Sequence, residues 1–136
     1  MTTKLTEGMA LVADPAWSDK IRAELTQNQY NGRVGHVLLL ETDDVRVWRI
    51  QLMPGERVGF HRHQLKYFWV AMNCGKSVSR HATGVTRETT YNPGDIKHIQ
   101  FGPGEFMLHD LINTGDTELL FTTVEFKASA NLPLPL

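Results

Sequence analysis

The run Pro54-Gly55-Glu56-Arg57-Val58-Gly59-Phe60-His61-Arg62-His63 carries the strongest structural signal of the chain. A Pro-Gly pair marks a turn, and a segment that ends in two histidines one residue apart follows it. On an extended strand, side chains at i and i+2 share a face about 6 to 7 Å apart. Both imidazoles can therefore converge on one ion, while Arg62 points the other way.

Outward from this stretch, turn residues recur at short intervals: Asn73 to Gly75, Thr83-Gly84, Asn92-Pro93-Gly94, Gly102-Pro103-Gly104 and Asn113-Thr114-Gly115-Asp116. The segments between them are apolar or β-branched, which predicts an antiparallel sandwich or barrel. Upstream, residues 34–41 and 45–53 flank Thr42-Asp43-Asp44, a hairpin connection. One helix is expected, over 19–29, with Ser18 as N-cap and Ile21 and Leu25 on one apolar stripe behind Trp17. The tail 131–136, with Pro133 and Pro135, is extended and apolar, and is expected to pack on a neighbouring surface of the same chain or of a second copy.

A second segment completes the pattern: Pro93-Gly94-Asp95, then Pro103-Gly104, then His109 and Asn113. With Gly55, His61, His63 and Gly75 it resembles the two ordered motifs of the cupin superfamily, over residues 45 to 125. The resemblance implies an all-β fold, a double-stranded β-helix or jelly-roll barrel of the small RmlC-like kind, with the short helix ahead of it. It also implies one domain over 1–136: a helix and strand extension to about 44, the barrel over about 45–127, and the apolar tail 128–136.

Two departures from the motifs bear on chemistry. The glutamate that follows the second histidine in metal-binding cupins falls here on Phe68, and Lys66, Tyr67 and Trp69 supply no carboxylate either. Two extra residues separate Gly104 from His109, and Gln100 stands where proline is frequent, so a longer hairpin is expected there. The resemblance thus implies a three-histidine variant, with His61, His63 and His109 as ligands of one divalent transition metal. Fe(II) heads the candidates, followed by Zn, Ni, Mn or Co, since neutral imidazoles suit these ions. Three neutral ligands leave the ion its full charge and open positions that favour an anionic substrate.

Other residues are candidates for the surroundings. His98 or Glu105 could replace the missing carboxylate ligand, and Phe68 could wall the open side of the site. Tyr67 and Trp69, of opposite parity to Phe68, are expected on the outer sheet face or a subunit contact. In 45–52 the parity is open: with Trp48 inward, Arg46 also faces in and could meet a carboxylate, whereas the other parity puts Arg49 and Gln51 in the pocket. Arg57, Arg62 and Lys66 are expected to be solvated, and Cys74 structural.

Composition narrows the function classes. A chain of 136 residues with 41% hydrophobic and 21% charged residues suits one soluble globular domain. A formal net charge of -1 offers no support for a nucleic-acid partner. The longest apolar run, 37–40, is far shorter than the roughly 20 residues of a membrane span. The single cysteine excludes an intrachain disulfide, and the N-terminus lacks a secretory pattern, so a cytoplasmic location is expected. Three-histidine cupins include thiol and diketone-cleaving dioxygenases, so the resemblance implies an oxygenase-type enzyme for a small organic acid. The alternatives are a metal-dependent isomerase or sugar-acid-processing cupin, in which His98 or Tyr67 moves a proton, and a binding or sensing protein without turnover. A homodimer is expected, closed two-fold association being the commonest.

Overall fold

The structure, a computed structural model, describes residues 3–136. Strands dominate it: β1 (Leu5–Thr6), β2 (Val37–Glu41), β3 (Val45–Leu52), β4 (Arg57–His63), β5 (Tyr67–Ala71), β6 (Gly75–Arg80), β7 (Thr86–Tyr91), β8 (Ile96–Ile99), β9 (Glu105–Asn113) and β10 (Leu119–Phe126), with one helix, α1 (Asp19–Gln27). They form two antiparallel sheets. One runs β1-β9-β6-β7 with β4 also paired to β9, and the other runs β2-β3-β10-β5-β8. The two sheets curl around a shared interior as a double-stranded β-helix, the expected all-β barrel. Among the described residues no helix is long and apolar enough to cross a membrane.

Period-two burial shows which side chains fill that interior. In β3 the even positions Arg46, Trp48, Ile50 and Leu52 are buried, and in β10 the odd positions Leu119, Phe121, Thr123 and Glu125. The parity left open by the sequence is thus settled with Arg49 and Gln51 outside. Ile50, Leu52, Val58, Ala71, Leu111, Leu119 and Phe121 meet between the sheets and close one end of the barrel with apolar packing.

The helix starts where its cap residue predicts, with Ser18 Oγ accepting from Ile21 N–H at 3.3 Å. It stops two residues earlier than expected, at Asn28, whose N–H bonds the Glu24 carbonyl. Leu25 sits with Trp17 and Ile21 on Phe60, Phe106 and Leu108, covering the outer face of the first sheet. Glu24 clasps Arg57 through both carboxylate oxygens and accepts the Phe60 N–H at 3.0 Å.

Turns follow the Pro-Gly signals. Gly55 has φ +85°, a left-handed conformation that favours glycine, and its N–H reaches the Asn113 carbonyl at 2.9 Å. Asn113 itself holds the Leu52 and Thr117 carbonyls with its amide and accepts from Gly115 N–H, so this motif residue closes turns. The lengthened hairpin expected near Gly104 is absent. Gly102 to Glu105 form a tight turn closed by Glu105 N–H on the Gly102 carbonyl, and β9 begins at once. β8 and β9 belong to different sheets, so this turn crosses between them.

The tail packs on its own chain. The carbonyls of Leu132 and Leu134 accept from Gln64 Nε2 and Arg46 Nη1, and a Cβ at Gly32 would lie 2.7 Å from Leu134 Cβ.

Candidate metal site and its cavity

A slip of one residue in β4 places the histidines. Val58 pairs with Leu111, but His61, three residues on, pairs with His109, so the register shifts between them. The slip changes which face the strand presents: Val58 packs in the interior, Phe60 under the helix, and His61 and His63 inside again. His61 lies opposite His109 and His63 opposite Met107, which brings three imidazoles into one group.

Ring centroids are 4.6 Å apart for His61–His109, 5.0 Å for His61–His63 and 5.1 Å for His63–His109. One ligand atom from each lies within 4.8 Å of the others. Nitrogens bound to one ion at about 2.0–2.1 Å lie about 3–4 Å apart, so small side-chain rotations suffice to close the group on an ion.

The hydrogen bonds suit that role. His61 Nδ1 is 2.8 Å from the Gly59 carbonyl, which can only accept, so Nδ1 carries the proton and Nε2 keeps its lone pair. His109 Nδ1 is 2.9 Å from Ser79 Oγ, whose own hydrogen goes to the Asp110 carbonyl, so His109 also donates from Nδ1. His63 Nδ1 is buried with no hydrogen-bond partner, as a nitrogen waiting for a ligand would be. Burial drives all three rings to the neutral form that binds metal, holding His61 down to about 4 and His63 and His109 well below the usual histidine range. The donor set fits a divalent transition metal.

Behind His109, Asp110 points out of the barrel. It is fully buried and accepts from Arg57 Nε at 2.9 Å and from the Arg80 backbone N–H at 2.7 Å, with Arg80 Nε at 3.1 Å. Arg57 is therefore part of a buried network, not a solvated side chain. Arg62 is buried as well, with its guanidinium 3.7 Å from the Phe106 ring centroid and paired with Glu7.

Two cavities meet at the histidines. A void of about 70 Å³ is lined by His61, His63, His109, Tyr67 and Phe121, and a cleft of about 700 Å³ by His109, His81, Tyr67, Trp69, Arg87 and Lys97. Tyr67 belongs to both, stacked on His63 with ring centroids 4.1 Å apart. The expectation that Tyr67 and Trp69 cover the outer face is therefore corrected, because they face inward. Burial pushes the Tyr67 phenol up, so it stays protonated.

Several expected pocket residues lie elsewhere. Phe68 points outward against Phe126, 5.9 Å between centroids, and does not wall the histidines. His98, the cross-strand partner of Phe68, edges the cleft but stands outside the group of three histidines. Glu105 accepts the Gly102 N–H at 2.5 Å and caps its turn. Arg46 is buried but bonds Glu41 and the Leu134 carbonyl, away from both cavities. Trp48 is fully buried, its indole N–H on Glu125 Oε1 at 2.7 Å, and also lies outside them. Arg49 is exposed on the outer face.

One residue of the site was not foreseen. His81, just past β6, bridges His109 on the side away from His61, with ring centroids 5.0 Å apart. It is buried, and burial, helped by Arg87 and Lys97, holds its pKa down to about 4. The signal was present as the polar inward alternation Ser77, Ser79, His81.

No protein-family model matches this sequence, and no curated protein matches it. Solved structures do. A cupin domain from Bordetella pertussis Tohama I is 27% identical with a TM-score of 0.59, over 68% of this chain and 91% of that one. A conserved protein with a double-stranded β-helix domain from Klebsiella pneumoniae is 21% identical, TM-score 0.55, over 76% and 87%. An RmlC-like cupin family protein from Methanocaldococcus jannaschii is 19% identical, TM-score 0.53, over 65% and 75%. Fold and site together define a double-stranded β-helix barrel with a group of three histidines able to hold a metal. The chain has the fold of the cupin superfamily.

Proposed function

We propose that this protein is a metal-dependent, oxygenase-type enzyme that acts on a small organic acid. The observation that carries the reading is the meeting of three neutral, inward-facing imidazoles in a small void that joins a cleft edged by Lys4, Arg87 and Lys97. A divalent metal, Fe(II) first, would supply a Lewis-acidic centre with open positions for substrate and, as iron, access to dioxygen chemistry. His61, His63 and His109 would hold it. The Gly59 carbonyl and Ser79 Oγ keep two of these rings in the ligating tautomer, and Tyr67 braces the third by stacking. The cations favour entry of an anion, since Lys4, Arg87 and Lys97 outnumber Asp95, the one carboxylate among the described residues of the cleft.

An isomerase reading is less well supported, since His98 stands outside the histidine group and Tyr67 holds its proton tightly. A homodimer is part of the proposal: Val37, Leu39 and Leu40 on the edge strand β2 expose apolar surface that a second copy would cover. The test is metal analysis of protein purified without a histidine tag, followed by oxygen uptake with a panel of small carboxylic acids. Bound iron with acid-dependent uptake supports the reading. Metal without uptake favours non-oxidative chemistry, and no metal favours a binding protein.

A further inference from the structure

Cross-strand partners share a face of their sheet, so register alone shows which rim residues look into the cleft. On β7, Arg87 is the partner of Ser79, whose hydroxyl touches His109, so Arg87 stands on the inner face. On β8, Lys97 is the partner of Trp69, which lines both cavities, so Lys97 stands on the inner face too. β7 and β8 are the last strands of the two sheets, and the cleft lies between them. Behind these two cations the walls turn apolar and aromatic, with Trp69 and Tyr91 edge to face at 5.5 Å and Ile99 and Leu111 beside them.

We propose that Lys97 and Arg87, one from each sheet, form a clamp for the carboxylate of a monocarboxylic acid with a flat, apolar body. The body lies against Trp69 and Tyr91, and the end remote from the carboxylate points to the histidines. The proposal rests on the organic-acid reading above but assigns the carboxylate to the rim, not to the metal. A point charge on a flexible stem and a planar fork on opposite walls can meet one carboxylate from two sides. Trp69 and Tyr91 add contact area for a planar group.

The test is titration calorimetry with benzoate and its neutral isostere benzamide, on the protein as purified and again after chelator treatment. Benzoate should bind at least roughly tenfold tighter than benzamide at low salt, with the preference shrinking as salt screens the cations. Lys97→Met and Arg87→Met should each remove most of that preference by weakening benzoate far more than benzamide, while Lys97→Arg keeps it. The clamp is overturned if benzoate fails to bind or binds no better than benzamide. It is equally overturned if Lys97→Met leaves benzoate affinity intact, or if the preference vanishes on chelation, which would put the carboxylate on the metal. A preference that persists after chelation upholds the clamp, and if the protein as purified also holds no metal and takes none up, the clamp stands while the metal-enzyme reading falls.

Discussion

His61 sits directly across from His109 because β4 slips by one residue between Val58 and His61. Without the slip, Phe60 would face His109 and both β4 histidines would turn toward the helix. The register therefore brings together candidate ligands that are nearly fifty residues apart in the chain, and each is expected to be indispensable for metal binding. His61→Ala or His109→Ala should lower divalent-metal affinity by more than roughly a hundredfold, read by calorimetry with Zn(II), with the circular dichroism of the barrel retained.

Ser79 links β6 to His109, so its hydroxyl should matter for metal without touching it. Ser79→Ala is expected to weaken metal binding by roughly tenfold, while Ser79→Thr, which keeps a hydroxyl, should stay near wild type. Equal affinities for the alanine and wild-type proteins would show that the tautomer is fixed some other way.

The carboxylate missing from the three-histidine group belongs, by side-chain direction, at position 67 and not at 68. Tyr67→Glu should therefore tighten metal retention against a chelator, since an anionic ligand adds attraction in a partly desolvated void. Phe68→Glu, on the outer face beside Phe126, should leave it unchanged. Tighter retention in the Phe68 variant would contradict the strand parity described above.

Glu125 gives the fold a pH signature. Burial pushes its carboxyl up to about 7, with the Trp48 indole N–H and the charge of Arg46 pulling back. In the unfolded chain it ionises near the ordinary value of 4.5. Between these values the folded protein keeps a proton that the unfolded chain releases, so the contribution of Glu125 falls as pH rises from about 4.5 to about 7, against the buried neutral histidines, whose contribution rises as pH climbs toward 6.5. Glu125→Gln can keep the Trp48 bond and removes that slope, and should raise stability at pH 8 by about 3 kcal/mol in urea unfolding. A pH dependence equal to wild type would place the titration elsewhere.

Asp110 anchors the opposite face of β9 between two guanidiniums with no solvent exposure. Asp110→Ala strips a buried acceptor from Arg57 and Arg80 and should cost about 3 kcal/mol, measured by the same unfolding.

Much of this architecture was legible in the chain. Turn residues at Gly55, Gly94 and Gly104, the Ser18 cap and the His-x-His pair placed strands, helix and the three inward histidines where they are found. What was not legible depends on contacts between strands distant in sequence. Alternation shows that Phe68 and Trp69 face opposite ways, but only pairing with β8 and β10 shows which way is in. His81 escaped notice because its role comes from a bridge to His109 across 28 residues, and Lys97 because its partner Trp69 lies on another strand. Alternation turns Arg46 inward, but only the fold shows that Glu41 and the tail carbonyl of Leu134 take its donors.

His61, His63 and His109 are proposed to hold one catalytic metal ion. X-ray absorption at the edge of the metal that co-purifies with tag-free protein tests it most directly, beside the His109→Ala variant. One divalent transition metal per chain is expected, with three imidazole nitrogens at about 2.0–2.2 Å, and its loss in the variant. Protein that takes up no metal even when loaded with Fe(II) or Zn(II), or metal retained unchanged in His109→Ala, would contradict it.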